Sequence, residues 1–168
     1  MKIRSASQPA VVAVGGGVSR TLQPNEYQYD HQQRRYRLVV PAGYLFDGAS
    51  IPRFFWTMLG LAPHGDMDGP ALAHDIIYQY QGKLPSGVLF VWKPFVGWEA
   101  CTETVSRATA DQLLKALCVH FKVVVRLLGA RAWMVWAGVR IGGGFAWQRD
   151  DSERKLAIII NNQESAPL

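Results

Sequence analysis

From Val11 to Phe46 apolar and polar positions favour strands over helices, with the short-period alternation of half-buried sheet. Within this stretch "EYQYDHQQRRYRLVV" reads as two strands joined around Asp30 to Gln33, although no Asn-Gly or Asp-Gly marks the turn. The run "PAGYLFDGASIP" then brings Pro, Gly and Asp-Gly punctuation, which predicts a structured loop. Beyond it the period lengthens to that of helices. One is expected over "SIPRFFWTMLG", with Ser50 as N-cap and Gly60 as terminator, and a second over "ALAHDIIYQY". A third follows in "TETVSRATADQLLKALCVHF", where Ala110, Leu113, Leu114, Leu117 and Phe121 share a face and Thr102 or Thr104 can cap the start. A fourth is "ARAWMVWAGVRI", ending at Gly142.

These elements predict an α+β fold in a single domain, a small N-terminal antiparallel β-sheet packed against three to four helices. Residues 1–17 read as an arm, 81–98 as an inserted hairpin or loop with two short apolar strands, and 161–168 as a polar tail. A chain of 168 residues is long enough to bury a sizeable core. The two cysteines, Cys101 and Cys118, have neither metal-ligand nor redox spacing, which points to a reduced compartment. The net charge of +5 is modest, and its densest cluster, Arg34, Arg35 and Arg37, reads as a solvated strand edge, so nucleic acid is not the expected partner. Ala10 to Val14 is too short for a signal-peptide core, and Lys122, Arg126, Arg131 and Arg140 interrupt the apolar run near the end, so no transmembrane segment is expected and the reading is cytoplasmic.

The chemistry concentrates in "ALAHDIIYQY". That helix is apolar nearly all round and is therefore expected to be buried nearly all round, where an unpaired carboxylate would cost several kcal/mol. His74 and Tyr78 are one turn apart and can touch, whereas Asp75 is turned from His74 by about 100 degrees and needs another partner. Arg107 and Asp111 share a face one turn apart on the later helix, and Asp47 and Ser50 sit in the "FDGAS" loop. One reading makes His74 a general base for water, oriented by Asp111, with Tyr78 in contact, Arg107 and Ser50 as binding groups, and Asp75 with Asp47 available for a divalent cation. The other makes the same residues one satisfied polar network that clasps loop and helices. "GGGVSRT" lacks the lysine and register of a phosphate loop, and "GDMDG" lacks the final Glu of a calcium loop, with Ile77 in its place. Of the six Trp residues, Trp133 and Trp136 have core spacing, and Trp92 and Trp98 are the expected exposed pair that could meet a partner.

The ordered series "VPAGYLFDGASIPRFFW", "ALAHDIIY", "SRATADQLLKAL" and "WAGVRIGG" resembles a domain-of-unknown-function family found mainly in bacteriophages and prophages, with motifs D-G-A-S-I-P, H-D-x-x-Y and R-x-x-A-D over roughly residues 35 to 145. The resemblance carries Asp47, Ser50, Pro52, His74, Asp75, Tyr78, Arg107 and Asp111 as family positions. It implies a phage context and not an activity: a protein made in the host cytoplasm, for which association with the virion, other phage proteins and a cell-envelope substrate are the candidate destination and partners. The H-D-x-x-Y helix is also similar to that of secreted calcium-dependent phospholipases, which would cast His74 as base, Asp75 as calcium ligand and Asp111 as the carboxylate steadying the base. The disulfide framework and glycine-rich calcium loop of those enzymes are absent here. The functional expectation is a His/Asp hydrolase-like site acting on a cell-envelope component, with a non-enzymatic tail or baseplate protein as the alternative.

Overall fold

The structure, a computed structural model, describes residues 1–15, 18–46 and 67–122. Their strands are β1 (Lys2–Ala6), β2 (Val11–Gly15), β3 (Val18–Thr21), β4 (Asn25–His31), β5 (Arg34–Val40), β6 (Leu45–Phe46), β7 (Leu89–Lys93) and β8 (Gly97–Ala100). The helices are α1 (Asp68–Gln79), between β6 and β7, and α2 (Arg107–His120), after β8. One antiparallel sheet has the order β1-β4-β5-β7-β8 and a second the order β2-β3-β6.

Alternation decides the central pair. In β4, Asn25, Tyr27 and Tyr29 point inward while Glu26 faces water, and in β5 Leu38 and Val40 are buried. The register Tyr27↔Leu38 and Tyr29↔Tyr36 brings these side chains together. Gln32 and Gln33 close the hairpin with φ of +48° and +62°, the positive pair that a two-residue type I′ turn requires. Two glutamines hold that shape because the register and buried face of the flanking strands over-determine it.

The expected single N-terminal sheet under three to four helices is corrected to two antiparallel sheets of eight strands with two helices among the described residues. Lys2–Ala6, read as part of an arm, is an edge strand that lays Ile3 against Tyr29. Residues within 81–98, read as an insertion, form β7 and the start of β8, and β7 pairs with β5 through Arg37↔Phe90 and Leu38↔Leu89. Local composition showed these strands as short and isolated, and their stability comes from pairing with distant chain. The helices expected over Ser50 to Gly60 and before Gly142, and the tail 161–168, lie outside the described residues.

Both helices pack on each other; α1 also lies against β5 and β6, and α2 against β1. Leu72, Ile76, Ile77, Leu113, Leu114 and Leu117 join Tyr27, Leu38 and Val40 in one core, and burying each such side chain contributes about 1.5–3 kcal/mol. All twelve residues of α1 are buried. Its first turn is satisfied from a distance, since the Gly69 N–H donates to Gln8 Oε1 at 2.8 Å. Helix α2 is capped locally by Ser106, which accepts the Thr109 N–H at 3.1 Å; neither Thr102 nor Thr104 is the cap. Among the described residues no helix is long and apolar enough to cross a membrane, and both cysteines are free and buried.

Gly82 ties the two helices together. It ends the α1 turn by donating its N–H to Ile77 O at 2.9 Å, and its carbonyl accepts the Val105 N–H at 2.9 Å just before α2. At φ of +75° an added Cβ would stand 1.9 Å from Val105 O. Gly82→Ala is therefore expected to destabilise the fold by about 2–4 kcal/mol, read as a lowered midpoint in urea unfolding. The turn gives the opposite sign: Gln32→Asn with Gln33→Gly should stabilise by about 1 kcal/mol in the same measurement.

Candidate functional site

Helix phase places His74 and Tyr78 one above the other on α1, with ring centroids 3.9 Å apart and planes tilted by 33°. On α2 the same spacing aligns Arg107 with Asp111. Where the two helices meet, His74 Nε2 lies 3.2 Å from Asp111 Oδ1, and the Tyr78 hydroxyl donates to the same oxygen at 2.5 Å. Arg107 Nε–H donates to the Tyr78 oxygen at 3.1 Å. The hydroxyl thus accepts a hydrogen bond from Arg107 and donates one to Asp111.

The Asp111 side chain is 0% exposed, so its charge is held by donors from α1 instead of by water. A carboxylate only accepts, and His74 Nε2 must carry the proton in this pair. In neutral His74 the lone pair is then on Nδ1. That nitrogen stands 3.8 Å from Asp75 Oδ1, beyond a hydrogen bond but close enough for the charge to act. Asp75, also buried, thus lies on the opposite side of the ring from Asp111.

Burial by itself pulls the His74 imidazole down, but the Asp111 hydrogen bond and the charges of Asp75 and Asp111 outweigh it, and the net direction is up. Burial and then the Asp111 hydrogen bond push the Tyr78 phenol well above its ordinary value, with Arg107 acting the other way. Tyr78 stays protonated across the physiological range and functions as a donor.

Of the residues nominated from the sequence, His74, Asp75, Tyr78, Arg107 and Asp111 are brought to one place. Asp47 and Ser50 lie outside the described residues, so the nominated Asp47–Asp75 metal pair has one member in view. Among the described residues no three His, Cys, Asp or Glu side chains are grouped to hold a metal. The sequence pattern does not single out Gln79 and Tyr44, yet the Tyr44 hydroxyl donates to Gln79 Oε1 within the core, one helical step past Tyr78. The signal was a Gln closing an apolar helix face. An open groove of about 420 Å³ between β1 and α2, lined by Ile3, Lys115, Val119 and His120 among others, contains no residue of the His74 cluster. Its walls are mostly exposed flank, and the buried polar geometry at His74 carries more chemical weight.

The sequence from residue 22 to residue 139 matches the family described as protein of unknown function (DUF1353). The chain belongs to that family. The DUF1353 match contains the entire His74 cluster, while β1, β2 and β3 precede it. No curated protein and no solved structure matches the chain.

The raised His74 value fixes the sign of a pH effect. Its stabilisation is fully present below the unfolded pKa near 6.5 and is lost as pH rises through the higher folded value. Urea unfolding from pH 6 upward should show stability falling with pH, and His74→Gln should flatten that slope. Tyr78→Phe, which leaves buried Asp111 short of a donor, should cost about 1–3 kcal/mol.

Proposed function

We propose that this chain is a phage-encoded hydrolase-like protein in which His74 is the general base and the substrate is a cell-envelope component. One observation carries the reading: Nε2 is committed to a buried carboxylate, which fixes the tautomer and leaves Nδ1 as the basic nitrogen. In the step this supports, Nδ1 takes a proton from water as the oxygen bonds to a carbonyl or phosphoryl centre. The bond to the leaving group then breaks and the same proton passes to it. Asp111 holds the ring and stabilises the imidazolium, Tyr78 fixes Asp111, and Arg107 orders Tyr78. The likeness of the H-D-x-x-Y helix to that of secreted phospholipases supports the same assignment of roles. The phage setting rests on the family motifs.

A second reading has its own support, since His74 is only 8% exposed and Asp111 is fully buried. In that case the network is a clasp in a non-enzymatic tail or assembly protein.

The two part in one experiment. Purified protein is incubated with bacterial phospholipid and peptidoglycan fractions, and product release is followed by mass spectrometry. The hydrolase reading expects release that rises with pH as His74 deprotonates, and a loss of about 10²–10⁴-fold in His74→Ala with the protein still folded. Absence of product from wild-type protein on every fraction, with His74→Ala merely lowering the melting temperature, leaves the clasp.

A further inference from the structure

The turn between β7 and β8 breaks a conformational rule that its own fold does not require it to break. Val96 N–H reaches Lys93 O at 3.3 Å, with Pro94 first and Phe95 second in the bend. Phe95 has φ of +67°. Proline followed by a positive φ is the pattern of a type II turn, whose second position ordinarily goes to Gly or Asn because a Cβ is disfavoured there. A bulky aromatic at that position opposes folding, and it is not compensated by burial: Phe95 is 108% exposed and Val96 71%. Backbone strain spent on presenting an apolar ring to solvent points to a use outside the fold.

What surrounds the tip narrows that use. Trp92 and Trp98 pair across the hairpin directly behind it, with ring centroids 5.5 Å apart and edge to face, and Arg37 on β5 reaches across β7 to lie over Trp98. The register Tyr36↔Val91 puts this turn at the same end of the sheet as the Gln32–Gln33 turn, and Lys2↔Asp30 brings the start of β1 there too. That end is basic. Arg4 and Arg35 share the single carboxylate Asp30, Lys2 stands opposite that carboxylate, and Arg34 and Lys93 meet Glu103 and Glu99 in exposed pairs. Exposed pairs of this kind are held weakly and can be exchanged for other anions.

A convex tip of two apolar side chains backed by Trp offers a few hundred Å², well under the roughly 1,000 Å² that a specific protein interface needs. The same set of groups, apolar apex, Trp behind it and basic residues around it, fits the interface of an anionic lipid bilayer. We infer that the β7–β8 hairpin docks this protein on anionic lipid by inserting Phe95 and Val96, with the Trp pair at headgroup depth and the basic sheet end against the phosphates. This docking is independent of His74.

Co-sedimentation with vesicles tests it, using phosphatidylglycerol mixed equally with phosphatidylcholine, and phosphatidylcholine alone. The full chain should sediment with the anionic vesicles, less with the neutral ones, and less in high salt. Phe95→Gly with Val96→Ser should lower anionic-vesicle affinity at least tenfold while leaving the melting temperature unchanged or higher, because glycine relieves the turn. Lipids brominated near the headgroup should quench wild-type Trp fluorescence more than that of the variant. Sedimentation of the variant equal to wild type, or no sedimentation of wild type with either vesicle, overturns the proposal.

Discussion

A carboxylate with no exposure to water cannot remain charged in an apolar core without donors fixed around it, and Asp111 has that requirement built into α2. Its donors, His74 and Tyr78, come from α1, so the two helices must meet at one relative height and rotation. Much of the surrounding architecture serves that meeting. Gly82 and Val105 join the end of α1 to the approach of α2, and Gln8 satisfies the α1 N-terminus from the other side of the chain. Arg107 completes the arrangement from the rim, where it is half-buried and holds the Tyr78 oxygen. The His74 ring emerges with one nitrogen tied and the other beside Asp75, and this asymmetry gives the cluster its chemical direction.

The five-stranded sheet supplies the rigidity on which this depends, and its two surfaces do different work. One carries Tyr27, Leu38 and Leu89 into the common core. On the other, Arg37 lies over Phe90 and Trp98, so that an aromatic and basic strip runs toward the hairpin tip. The polar cluster sits between the helices and the exposed aromatic residues sit on a turn, so the two features occupy different elements of the fold.

Much of the cluster was legible in the sequence because helical spacing is a local property. Four residues separate His74 from Tyr78 and Arg107 from Asp111, and in a helix that spacing leaves little choice of face. The hairpin of β4 and β5 was legible for the same reason, through alternation. The fold class was less so. Lys2–Ala6 and the 81–98 region have short, weakly patterned runs, and their places in the sheet come from β4 and β5, distant in sequence. The turns added no signal of their own, since Gln32, Gln33 and Phe95 all hold positive φ without a glycine, and the flanking strands marked the hairpins instead.

By itself, then, the sequence determined which residues share a helix face, which helix is apolar throughout and where the ionisable groups interrupt it. Only the tertiary structure decided that Asp111, already the expected partner, takes His74 through Nε2 and shares the same oxygen with Tyr78, and that the exposed aromatic apex stands at the basic end of the sheet. The physical reason is the same in both cases. Partners far apart in the chain are chosen by the burial of charge and by strand register, and neither is encoded in any single local window.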